Sequence, residues 1–147
     1  VEVDSGHHRS GIEPARAAEV AAAALEHGLV VDGVFTFPGH SYGPDAAVRA
    51  AADEEEALRV ARDALLGVGI PCPVVSGGST PSAGESRGDV LTELRPGVYA
   101  FYDAQQWELG TVGHGRIALT AVATVVCLRG DRVVVDAGSK ILSPDRP

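Results

Sequence analysis

The 147 residues carry a net charge of −8, are 45% hydrophobic and 22% charged, and contain only two cysteines. That composition is globular and leaves no room for a disordered chain or a disulfide scaffold; the acidic balance, with no basic cluster, excludes a nucleic-acid binder. The longest apolar run, near 117–128, is short and interrupted by threonine, so a membrane span is excluded as well.

Val1 to Asp4 alternate as a strand does, ending at Ser5–Gly6. Pro14, whose missing N–H is harmless in a first helical turn, opens a helix in which Val20, Ala21, Ala24 and Leu25 form an apolar stripe, stopped at Gly28. "LVVDGVFTF" (29–37) reads as a second strand, closed by Pro38 and Gly39. Pro44 opens a longer helix with Val48, Ala51, Leu58, Ala61 and Leu65 on one face, and with Glu55–Arg59 and Arg59–Asp63 spaced for pairing. In it, "DEEE" (53–56) reads as a solvated face. "CPVVSGG" (72–78) is a third strand and "ELRPGVYAFYD" (93–103) a fourth, bent or bulged at Pro96–Gly97.

Strand, helix, strand, helix, strand, each with a glycine-bearing loop, is the grammar of parallel βα units, so the fold class is α/β, part of a TIM-type barrel. After a polar stretch (104–116), "IALTAVATVVCL" and "RVVVDAGS" joined by "RGD" (129–131) form a hairpin of β character. A domain boundary is expected near residue 112, with 1–112 α/β and 113–147 the start of a β domain. Cys72 and Cys127, without a CxxC spacing, read as buried free thiols of a cytoplasmic protein.

In parallel α/β folds ligands gather at the carboxyl ends of strands, and four such ends are legible: "DSGHHRSG", "FPGHSYG", "SGGSTP" and "LRPGVY". In "SGGSTP", Gly77 and Gly78 let successive N–H groups converge on an anion, and Ser79 and Thr80 add hydroxyls, which suits a phosphate. A plain tight turn has the same composition. Gly97 permits close approach of the main chain in "RPGVY". Arg9 would stand at a barrel mouth, able to hold a phenolate or carboxylate, or simply lie on the surface. His40 and Tyr42 are similarly placed, a packed histidine being the plainer outcome. His7, His8, His40 and His114 lack the spacing of a zinc site.

Taken together and in order, "VEVDSGHHRSGI", "FPGHSY", "SGGSTP", "TELRPGVYAFYD" and "DAGSK" resemble the D-threonine aldolase and D-serine dehydratase family, pyridoxal-phosphate enzymes of fold type III related to alanine racemase. The resemblance implies an alanine racemase-like barrel, of which this chain supplies strands five to eight, followed by the first hairpin of the β domain. It implies that Arg9 approaches the phenolic oxygen of pyridoxal 5'-phosphate, that Tyr42 lines the cofactor site, and that Ser79, Thr80, Gly97 and Val98 meet the phosphate. Phe35 stands where some relatives have a second tyrosine. The family's Schiff-base lysine lies on the first barrel strand, and Lys140, the sole lysine, does not match it. A divalent metal such as zinc is implied too, through ligands beyond "SPDRP". The expected parent is a lyase acting on small β-hydroxy D-amino acids, and the expected chain is an inactive piece beginning mid-barrel. Its open strand edges would then pair with a second copy as a homodimer. Two other readings use the same residues: a non-catalytic self-associating barrel fragment, and a generic phosphate-binding βα protein.

Overall fold

The computed structural model describes residues 1–142; the terminal "SPDRP" lies outside the described residues. The parallel sheet contains β1 (Gly33–Phe35), β2 (Val74–Gly77) and β3 (Glu93–Leu94), in that spatial order. The N-terminal segment adds to its edge. The Val3 amide donates to Phe35 O at 2.9 Å and the Phe35 amide to Val1 O at 2.8 Å, while Glu2 bridges Phe35 in parallel. Four parallel extended segments thus run in sequence order, as the βα reading requires.

Two helices cover one face: α1 (Ala17–Glu26), entered through a 3-10 turn at Pro14–Arg16, and α2 (Ala47–Gly67). Val34 and Val75 are register partners across β1 and β2, and with Val3 they face Ala17, Ala21, Leu58, Ala61 and Leu65 in the buried core. Alanines at the helix contact let the two backbones approach, and the three valines come one from each of three neighbouring extended segments. The expected stripe of α1 holds only in part. Ala21 is buried, but Val20 and Leu25 are exposed and Val20 and Ala24 line an open hollow of about 540 Å³ with Val31, Phe35, Val74 and Arg95. Val48 of α2 is likewise exposed.

The second strand is shorter than its apolar run. The Leu29 amide closes the end of α1 on Ala24 O at 3.0 Å, so Leu29 and Val30 emerge from a helix cap, not a strand, and stay exposed. The fourth strand stops after two residues, because Pro96 has no N–H to continue the ladder and Gly97 turns into a 3-10 helix at Val98–Ala100. In the polar stretch that follows, α3 (Ala104–Glu108) starts where the Asp103 carboxylate accepts the Gln106 amide at 2.9 Å.

The hairpin is present as β4 (Val125–Arg129) and β5 (Arg132–Val135), antiparallel, with Arg129 opposite Arg132 across a two-residue turn. Gly130, at φ 58°, supplies the left-handed conformation a two-residue loop demands. Residues 117–124 form no strand, although the apolar pattern extends over them. A short α4 (Ser139–Leu142) carries Lys140. Cys127 lies exposed on β4 and Cys72 is half-buried, which corrects the expectation of two buried thiols; both are free. Among the described residues no helix is long and apolar enough to cross a membrane.

Candidate functional site

The four strand ends meet. At the first, the Asp4 carboxylate accepts the Gly6 and His8 amides at 2.9 and 3.0 Å and pairs with His8 Nδ1 at 2.7 Å, which holds His8 in a left-handed conformation of φ 55°. Partial burial pushes the Asp4 carboxyl up, but these hydrogen bonds outweigh it and bring its pKa down to about 2. Because the folded value is depressed, the stabilisation is complete above the unfolded value and disappears as pH falls through about 2. Asp4→Ala is therefore expected to cost about 1–2 kcal/mol in urea unfolding at neutral pH, with a difference that shrinks below about pH 4.

The first two ends interlock through their repeated Gly-His pair. A Cβ on Gly6 would stand 3.2 Å from the His40 ring, and one on Gly39 2.6 Å from the His7 ring, so each imidazole lies on the other loop's glycine. His40 is a packed histidine, its Nε2 3.4 Å from Asp53 Oδ2 on α2. His7 also meets the Phe37 ring edge-on at 5.8 Å. Arg9, itself exposed, places its guanidinium 5.2 Å over that same ring, and Tyr42 lies 6.4 Å from it on the second loop. Phe37 is thus the shared floor for Arg9 and Tyr42. Burial pushes the Tyr42 phenol up, and Asp103 nearby adds to the shift, so its hydroxyl keeps its proton at neutral pH.

The third and fourth ends are tied directly. The Val98 amide donates to the Thr80 hydroxyl at 3.1 Å, and the Arg95 amide to Gly77 O at 2.7 Å. Arg95 then reaches back, its guanidinium 3.2 Å from Thr36 O and 5.1 Å over the Phe35 ring. Among the described residues the Thr80 and Gly97 amides have no hydrogen-bond partner, although Thr80 is only 6% exposed. Thr80 is buried, and a buried N–H without an acceptor is rare; with the exposed Gly97 amide of the adjacent turn it gives two open donors suited to an anion.

The other groups of the third end differ from the expected arrangement. The Ser79 hydroxyl is engaged with Ser41 and Ser82, each at 2.7 Å, and this buried trio pins the second loop to the third. The Gly78 amide faces away from the mouth and donates to Glu54 Oε1 at 2.5 Å. Glu54 is 0% exposed, which overturns the solvated-face reading of "DEEE" at its centre. Glu55, expected to pair with Arg59, instead accepts the Ser86 hydroxyl and the Arg87 and Gly88 amides, and Arg59 takes Glu56. Ser41, Ser82 and Glu54 were not singled out from the sequence. Only Glu54 left a signal, since Ala50, Ala51, Ala57, Leu58 and Ala61 mark a helical stripe in which position 54 falls.

A family model described as "Alanine racemase, N-terminal domain" matches residues 1–105. The chain belongs to this family. The fold is accordingly α/β, with its parallel strands part of an alanine racemase-type barrel. It is 39% identical to D-threo-3-hydroxyaspartate dehydratase of Delftia sp. over 155 aligned residues, 99% of this chain and 41% of that protein. A solved variant of that enzyme in a metal-free form superposes with a TM-score of 0.87 at 36% identity, over 99% of this chain and 41% of that one. D-serine dehydratase of Dictyostelium discoideum is 30% identical over 99% of this chain and 41% of its own length. D-threonine aldolase of Filomicrobium marinum superposes with a TM-score of 0.67 at 30% identity, covering 95% of this chain and 41% of that one. The kinship read from the five motifs is therefore borne out, and the chain spans about 41% of the length of these relatives.

Proposed function

We propose that this chain supplies the phosphate-side and ring-side walls of a pyridoxal 5'-phosphate site in a lyase acting on small β-hydroxy D-amino acids. The observation that carries the reading is the Val98–Thr80 hydrogen bond, which joins two strand ends around the unpartnered Thr80 and Gly97 amides. Those donors fit a phosphate. The Thr80 and Gly97 amides and the Thr80 hydroxyl would grip it, with Val98 holding that hydroxyl through its amide and Ser79 fixing the turn through Ser41 and Ser82. On the ring side, Arg9 over Phe37 would offer a cation to a phenolic oxygen, and Tyr42 a protonated hydroxyl. When bound, the coenzyme supplies an electron sink for charge developing at the amino-acid Cα. The residues described here bind and orient it.

Three relatives support the substrate class, since each is named for a D-amino acid that bears a β-hydroxyl. Dehydration is favoured over retro-aldol cleavage because the two dehydratases align over 99% of the chain. A divalent metal such as zinc remains part of the reading for the whole protein. Among the described residues no group of three His, Cys, Asp or Glu could hold one, so none is given that role.

The test is to give the protein in its full natural length pyridoxal phosphate and then D-threo-3-hydroxyaspartate, D-serine or D-threonine. Release of ammonia with oxaloacetate, pyruvate or 2-oxobutyrate is expected; glycine with acetaldehyde would assign the aldolase reaction. Turnover of an amino acid without a β-hydroxyl, and of none of these three, would overturn the substrate class. Thr80→Val, which keeps the volume and removes the hydroxyl, is expected to weaken coenzyme binding about tenfold by equilibrium dialysis.

A further inference from the structure

We propose that Glu54 is a positioning residue for the anion cradle: its carboxyl holds the Gly78 amide from behind, and its charge sets how tightly the turn binds an anion. The inference rests on the reading of Thr80 and Gly97 as a phosphate grip. Glu54 comes from the buried face of α2 and is 0% exposed. Its Oε1 accepts the Gly78 amide at 2.5 Å, while Oε2 has no partner among the described residues. The contact is close enough that a Cβ on Gly77 would stand 2.3 Å from Oε1. An acid placed under a turn whose Thr80 amide is open must influence an anion bound there. Ionised, it accepts the Gly78 N–H more strongly but adds like charge beneath the anion; protonated, it removes that repulsion.

Burial pushes the Glu54 pKa up to about 7; the Gly78 hydrogen bond opposes this, Glu55 on the same helix adds to it, and Arg95 from the segment after β3 opposes it. Both charge states are thus populated near neutral pH. Anion binding and protonation of Glu54 should favour each other, reciprocally.

Sulfate is the suitable probe, because unlike phosphate it does not titrate near neutral pH. Amide resonances of the isotope-labelled protein are followed during sulfate additions from about pH 6 to about pH 8, for wild type and for Glu54→Gln, which keeps an acceptor for Gly78 but cannot ionise. The Thr80, Gly97 and Val98 amides are expected to shift. Relative to Glu54→Gln, wild-type affinity should fall about tenfold across that range. In sulfate-free wild type the Gly78 amide should titrate with a midpoint near 7, and in Glu54→Gln it should not. Every other group is common to both proteins and cancels in the comparison. If sulfate shifts these amides with the same pH dependence in both, Glu54 does not tune the grip and the inference falls while the phosphate reading stands. If sulfate moves none of them in wild type at any pH, the phosphate reading itself falls and takes the inference with it.

Discussion

Alanine at position 77 is expected to destabilise the protein by about 2–3 kcal/mol and to weaken anion binding, though it adds one methyl group far from solvent. The new Cβ would stand 2.3 Å from Glu54 Oε1, 2.9 Å from Glu54 Cδ and 3.1 Å from Leu91 Cδ2. A flexible surface side chain could swing clear, but Glu54 is wholly buried and tied to the Gly78 amide. Relief therefore requires α2 to back away from the sheet or the turn to give up its hydrogen bond. Urea unfolding measures the first consequence and coenzyme affinity the second. A double-mutant cycle identifies the cause: in a Glu54→Ala background the methyl has room, so Gly77→Ala should cost about 2 kcal/mol less there. Additive effects would show that the clash is relieved elsewhere and that Gly77 is not kept small by Glu54.

The same pair of residues shows where sequence reasoning succeeds and where it stops. Strand ends rich in glycine and serine were legible because turns need those residues locally, and the βα order followed from hydrophobic period and punctuation. The 21-residue α2 was legible from its apolar stripe, yet its central carboxylate was not, because a charged side chain reads as solvated until a partner is known. That partner, the Gly78 amide, lies 24 residues away. The Ser41–Ser79–Ser82 trio was hidden for the same reason: its longest link spans 38 residues between two loops, each of which looks like an ordinary turn. Errors of length had local causes. Apolar Leu29 and Val30 were counted into a strand although the cap of α1 had already claimed the Leu29 amide. The apolar 117–124 region was counted into the hairpin although periodicity cannot say where pairing begins. Asp103 followed three residues later by Gln106 was a readable helix start, and it was missed inside a stretch that looked merely polar.

The pH dependence of stability should expose Glu54 most directly. Its pKa rises from 4.5 in the unfolded reference to about 7 in the folded protein, so between those values the folded state holds a proton that the unfolded state has lost. Wild-type stability must then fall as pH rises through this window and level off above about 7. Glu54→Gln has no such slope. Its stability relative to wild type is expected to increase by about 2.5 kcal/mol between about pH 5 and about pH 8, whatever constant difference the amide group introduces. Asp4 moves oppositely and acts only below its unfolded value of 3.8, so it does not contribute in this window. Unfolding by urea at the two pH values, with both proteins in the same buffers, isolates the one group that differs. Curves that stay parallel would mean that the carboxyl is solvated or compensated, and that α2 carries no buried acid under the turn. A growing gap would mean that at neutral pH the fold tolerates a carboxylate that costs it stability, at the one place where its charge can act on an anion held by the opposite side of the same turn.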